Sequence, residues 1–99
     1  MLDRQDILKF LDAHLPELQM QYKISKIGLF GSFARNEQNE ESDIDILLEF
    51  IPGTQDIYEK KIRLKEYLKS NFHRDVELCR EKYLKPYIKD YLVKEVIYV

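Results

Sequence analysis

The residues able to do chemistry in this chain crowd into one stretch, Ile27 to Phe50. Within it, Gly31-Ser32 follows an apolar run, and Asp43 and Asp45 stand one residue apart in Ser42-Asp43-Ile44-Asp45. Glycine lets the backbone approach a ligand closely. The free N–H groups at the start of a helical turn, aided by its dipole and beside the Ser32 hydroxyl, favour an anion such as phosphate. On a strand, alternate residues share a face, so Asp43 and Asp45 point one way and Ile44 and Ile46 the other. Two carboxylates held that close are costly to keep ionised without a cation between them. Mg²⁺ suits that place, because it takes a few carboxylate oxygens and completes its shell with substrate phosphates. Taken singly, the features also read as an ordinary turn and a solvated acidic face.

The elements that must position these groups follow from the apolar spacing. Ile24 to Phe30 reads as a strand, Gly31 to Arg35 as a short helical turn, Asn36 to Ser42 as a surface loop made acidic by Glu37, Glu40 and Glu41, and the Asp-x-Asp segment as a second strand ended by Pro52-Gly53. Upstream, Asp3 is placed to cap a helix carrying Ile7, Leu8, Leu11 and Leu15. Pro16 interrupts that helix near His14-Leu15, so Pro16 to Tyr22 reads as a second short piece. Downstream, Thr54 is expected to cap a helix carrying Ile57, Tyr58, Ile62, Leu64, Tyr67 and Leu68. Lys60, Lys61, Arg63 and Lys65 read mostly as its solvated face, with one of them within possible reach of a triphosphate. Asp75 to Cys79 alternates as a third strand, with Val76 and Leu78 on one face and Asp75, Glu77 and Cys79 on the other. Glu81 to Val99 reads mostly as helix, with Pro86 in or near a first turn. Its apolar residues, among them Tyr83, Tyr87, Tyr91 and Tyr98, outnumber what one core-facing stripe needs, and tyrosine is an interface-enriched anchor. His14 and His73 lack partners of metal-ligand spacing and read as helix-end or surface histidines. Cys79 reads as a small hydrophobe.

Composition bounds the class. With 99 residues, 44% of them hydrophobic, the chain suits one compact domain over residues 1–99. A formal net charge of -2 gives no basic footprint, so direct nucleic-acid binding is not expected. The single cysteine precludes an internal disulfide and fits a reducing cytoplasm. No apolar run reaches membrane-spanning length, and no membrane association is expected.

The Gly-Ser turn and the Asp-x-Asp strand together carry more than either does alone. Gly31-Ser32-Phe33-Ala34-Arg35 followed by Ser42-Asp43-Ile44-Asp45 resembles the signature of the DNA polymerase beta-like nucleotidyltransferase superfamily, in particular its minimal nucleotidyltransferases, the antitoxin partners of HEPN toxins. The ending from Tyr83-Leu84-Lys85-Pro86 to Val99 is similar to the usual end of these small proteins. The resemblance implies an α+β, two-layer fold with a small mixed sheet of three or four strands packed by helices. It implies Asp43, Asp45 and Glu77 as catalytic and metal-holding carboxylates, Glu77 standing where the family usually has aspartate in a Val-Asp-Leu setting, with Asp75 in reserve. Gly31, Ser32, Arg35 and Ser42 would bind nucleotide. Asn36 takes the place of the family's usual glycine. By the same resemblance, two Mg²⁺ ions would serve transfer of AMP from ATP to a tyrosine hydroxyl on a cognate HEPN ribonuclease toxin, docked through the C-terminal helix. A second reading from another class is a catalytically weak module that neutralises its toxin by docking. A third, an enzyme acting on a small molecule or an RNA end, is disfavoured by the absence of a second domain and by the acidic pI.

Overall fold

The computed structural model describes residues 2–99. The element order is α1 (Arg4–Ala13), α2 (Leu15–Tyr22), β1 (Ile24–Phe30), α3 (Gly31–Ala34), β2 (Ile44–Phe50), α4 (Ile57–Phe72), β3 (Val76–Arg80), a 3₁₀ turn (Glu81–Tyr83), α5 (Pro86–Val93) and β4 (Ile97–Tyr98). The four strands form one mixed sheet in the order β3-β2-β1-β4. β1 is antiparallel to β2 and β4, whereas β3, reached through the α4 crossover, is parallel to β2. This is the expected α+β architecture.

Local chemistry explains the boundaries. Asp3 caps α1 reciprocally with Asp6, each side chain accepting the other's backbone N–H, at 2.9 and 3.1 Å. Pro16 lies in the first turn of α2, where its missing N–H costs nothing, and His14 marks the break between the two helices. The His14 Nδ1–H donates to the Phe10 carbonyl at 2.9 Å and its ring stacks on Phe10, a structural role. A bulge at Ser25 opposite Glu49–Phe50 shifts the phase of β1, so Ile24 joins Ile27 and Leu29 on the core face. The core lies between that face, continued by Ile44, Ile46, Leu48, Val76 and Leu78, and a helical layer that contributes Ile7, Leu11, Leu18, Leu64, Leu68 and Phe72.

Three expectations change. Asp56, in the left-handed region, precedes α4, and the Thr54 hydroxyl bonds back to the Ile51 carbonyl instead of capping the helix. Leu64, Leu68 and Phe72, four residues apart, supply the buried stripe, so Tyr58 and Ile62 are exposed. The tail is also not helical to its end: α5 stops at Val93, and Ile97–Tyr98 adds a fourth strand to β1, with Gly28 opposite Tyr98 and Leu29 opposite Ile97. Gly28 has no room for a side chain, since a Cβ there would meet Val96 Cγ1 at 2.6 Å and Tyr98 Cδ1 at 2.9 Å. The C-terminal segment therefore packs against β1 at Gly28, and Glu95 ahead of it reaches the Gly31 turn. None of the described helices is long and apolar enough to cross a membrane.

Candidate active site

β1 delivers the turn and β2 the carboxylate to the same place. Phe30 is opposite Asp45 in the antiparallel register, so the chain reverses into Gly31 directly against the Asp45 side chain. A Cβ on Gly31 would fall 2.2 Å from Asp45 Oδ2, and Gly31 has φ +78°. Space and backbone both require glycine here. On the other side of β2, Glu77 is the register partner of Asp45 in the parallel pair with β3. Asp43 lies immediately before β2, one residue short of the strand expected to hold it, and is exposed, while Ile44 and Ile46 are fully buried on the opposite face.

Electrostatics ties these groups together. The Asp45 carboxyl is pushed above its ordinary value of 3.8, first by burial and then by the neighbouring charges of Asp43 and Glu77, with Arg35 pulling the other way and Glu95 adding to the push. A cation here would relieve that cost. Among the described residues, no three His, Cys, Asp or Glu side chains close a metal cage by themselves. Hard carboxylate oxygens at an open, charge-strained position fit Mg²⁺ held partly by protein and completed by substrate phosphates and water. Asp75, the reserve candidate, is exposed and paired with Lys69 Nζ at 3.1 Å. Cys79, half-buried and raised in pKa by burial and then by Glu77 and Asp45, is not a poised thiolate.

The Gly31 turn is held from outside as well. Arg35 bonds Glu95 through Nη1 and lies 3.4 Å from Glu37 through Nε. Glu95 also accepts the Gly31 N–H, at 3.4 Å. Asn36 has φ +62°, the left-handed conformation that glycine favours and that asparagine is among the few other residues to tolerate, so the turn survives the replacement. The loop ahead of Asp43 is pinned by Arg74, whose Nη1 donates to the Asn39 and Ser42 carbonyls at 2.8 Å each and whose guanidinium lies 5.3 Å from the Phe33 ring centroid. The Ser42 hydroxyl is occupied locally, accepting the Asn39 N–H at 2.9 Å. Sequence reasoning assigned no role to Arg74 or Glu95. Their partners lie 32 to 64 residues away, and no local pattern announces them. A shallow depression of about 430 Å³ beside Asp43 is lined by the acids Glu40, Glu41 and Asp75 as well as by Lys69, His73 and Arg74, and neither Gly31 nor Asp45 borders it.

A glycine turn in contact with one carboxylate of an Asp-x-Asp pair, at one end of a mixed sheet, is the arrangement expected of a polymerase beta-like nucleotidyltransferase. The nucleotidyltransferase domain family matches residues 11–99. A protein adenylyltransferase named MntA, from Thermococcus cleftensis, is 39% identical over 101 residues, covering 100% of this chain and 98% of its own. A solved minimal nucleotidyltransferase superposes with a TM-score of 0.80 at 28% identity, covering 97% of this chain and 95% of its own. A chain of a toxin–antitoxin crystal structure with AMP-PNP gives 0.66 at 26% identity, covering 98% and 72%. The chain therefore belongs to the nucleotidyltransferase domain family, in its minimal, MntA-like branch.

Proposed function

We propose that this chain, acting as a single domain in the cytoplasm, transfers AMP from ATP to a tyrosine hydroxyl of a cognate HEPN ribonuclease toxin and thereby silences it. The observation that carries the reading is the close approach of Gly31 to Asp45, which would bring a triphosphate gripped by the turn beside the paired carboxylates. The relative named protein adenylyltransferase and the toxin–antitoxin neighbour with AMP-PNP support the nucleotide and the partner class.

In this reading Gly31, Ser32 and Arg35 keep the triphosphate in register, with Ser42 at the edge of the nucleotide site, and Asp43, Asp45 and Glu77 hold Mg²⁺. Two bound Mg²⁺ ions would supply charge neutralisation at the attacking and leaving oxygens. The acceptor oxygen bonds to the alpha phosphorus as the bond to the bridging oxygen breaks. Pyrophosphate leaves with that electron pair, and the hydroxyl proton passes to the Glu77 carboxylate and on to solvent. Tyr87 and Tyr91, one helical turn apart on α5 and 69% and 66% exposed, offer the toxin a docking stripe.

Intact-mass spectrometry of the toxin after incubation with this protein, ATP and Mg²⁺ tests the proposal. One or more added AMP masses are expected with the wild type and none with Asp43→Ala/Asp45→Ala. The exposed tyrosines also favour a second reading, neutralisation by docking alone. Under that reading the double variant still neutralises, and substitution of Tyr87 and Tyr91 abolishes neutralisation.

A further inference from the structure

Glu95 belongs to none of the motifs that define the site, yet it touches both ends of the phosphate-gripping turn. Its Oε2 accepts the N–H of Gly31, the first residue of α3, and its Oε1 binds Arg35, the residue after α3. The side chain is 11% exposed. Its own backbone is fixed, because Glu95 N–H and Val96 N–H both donate to the Leu92 carbonyl, at 2.9 and 2.8 Å, and the next two residues pair with β1. A carboxylate so anchored spans the turn as a rigid strut.

We propose that Glu95 is a positioning residue for nucleotide binding, acting through Arg35 and the Gly31 N–H; the substrate assignment rests on the function proposed above. A four-residue helix has little cooperativity of its own and is not stable without outside support. Arg35, 42% exposed in its side chain, has many rotamers to choose among unless a partner selects one. Glu95 acts on both from the segment joining α5 to β4, beside Arg4 Nη1, which donates to the Ala34 carbonyl at 3.0 Å, and Glu37, 3.4 Å from Arg35 Nε. The turn thus meets the triphosphate already shaped, and ordering it is not charged against binding.

The test is ATP affinity in the presence of Mg²⁺, by calorimetry on the chain alone, for wild type, Glu95→Gln, Glu95→Ala, Arg35→Ala and the Glu95→Ala/Arg35→Ala double variant, with thermal melting as a folding control. Glu95→Ala is expected to weaken ATP about tenfold, Glu95→Gln less, and the double variant no more than the worse single change, since the two residues act as one unit. In transfer assays KM for ATP rises while KM for the toxin stays. Unchanged or tighter ATP binding in Glu95→Ala, or additive losses in the double variant, overturns the proposal; so does a wild type that binds no ATP. A wild type that binds ATP but transfers no AMP defeats the transfer reading alone and leaves the strut to be judged by binding.

Discussion

Asp45 and Glu49 stand on one face of one strand, four residues apart, and the chain treats them in opposite ways. Glu49 is saturated: Oε1 accepts Arg80 Nε at 2.9 Å, Arg80 Nη2 at 2.6 Å and the Phe50 N–H at 3.0 Å, and Oε2 accepts the Lys82 N–H at 2.9 Å. Burial alone would raise its pKa, and the bonds from Arg80, Phe50 and Lys82 outweigh it and hold the carboxyl below its ordinary value. Nearby, Lys26 and Lys89 converge on Glu81, so this end of the sheet is welded by ion pairs, and the depression of about 440 Å³ over it is lined by groups already engaged with one another. Asp45 is left among like charges and pushed the other way. A carboxylate that a fold has satisfied is structural. One that the fold has buried among other acids is a candidate for holding a ligand.

Neutralising the two carboxylates should have opposite effects. Asp45→Asn should cut AMP transfer on the order of 10³-fold, the scale seen when a preorganised electrostatic contact is removed, while raising the melting temperature of the metal-free protein. Lower stability in that variant would show that Asp45 is satisfied after all. Glu77→Gln comes next, with an expected loss of ~10²-fold in kcat, the scale of a general base. Glu49→Gln should do the reverse of Asp45→Asn. By leaving Arg80 without its charged partner it should cost about 2 kcal/mol in urea unfolding and leave transfer per folded molecule unchanged.

The pH dependence of stability gives the smallest effect and the clearest sign. Asp45 binds its proton more tightly in the folded state than in the unfolded chain. Its contribution is therefore fully present below the ordinary value of 3.8 and is lost as pH rises through the raised folded pKa. Glu49 binds its proton less tightly when folded, so its contribution is present above the ordinary value of 4.5 and lost as pH falls through the lowered one. Asp45→Asn should thus remove a decline in stability on the way up from acid, and Glu49→Gln a decline on the way down. Mg²⁺ should raise the melting temperature of the wild type above that range and not of Asp43→Ala/Asp45→Ala.

Much of this was legible in the chain because it is local. Asp3 precedes an apolar helical stripe, Pro16 interrupts it, β1 is bounded by Ile24 and Phe30, and the Gly-Ser turn with its Asp-x-Asp strand announces itself by residue type. What escaped was non-local or too short to have a period. β4 has two residues and follows a helix directly enough to be read as its continuation; only pairing with Gly28 and Leu29 makes it a strand. Tyr58 and Ile62 fit an apolar helical pattern, yet the sheet covers the Leu64–Leu68–Phe72 stripe instead. Thr54 is a good cap by type, and the turn after Pro52 uses its hydroxyl elsewhere. The pair Asp45–Glu77 depends on the parallel register of strands separated by a 16-residue helix. Arg74 and Glu95 brace the site through contacts that no spacing rule can encode.

Whether the carboxylates beside the Gly31 turn serve adenylyl transfer is decided by where an isotopic label travels. The cognate toxin would be incubated with this protein, Mg²⁺ and ATP labelled at either the alpha or the gamma phosphorus. Label is expected on a toxin tyrosine from the alpha position alone, with gamma label recovered in pyrophosphate and neither event occurring with Asp43→Ala/Asp45→Ala. Gamma label on the toxin, or alpha label undiminished in the double variant, would contradict it.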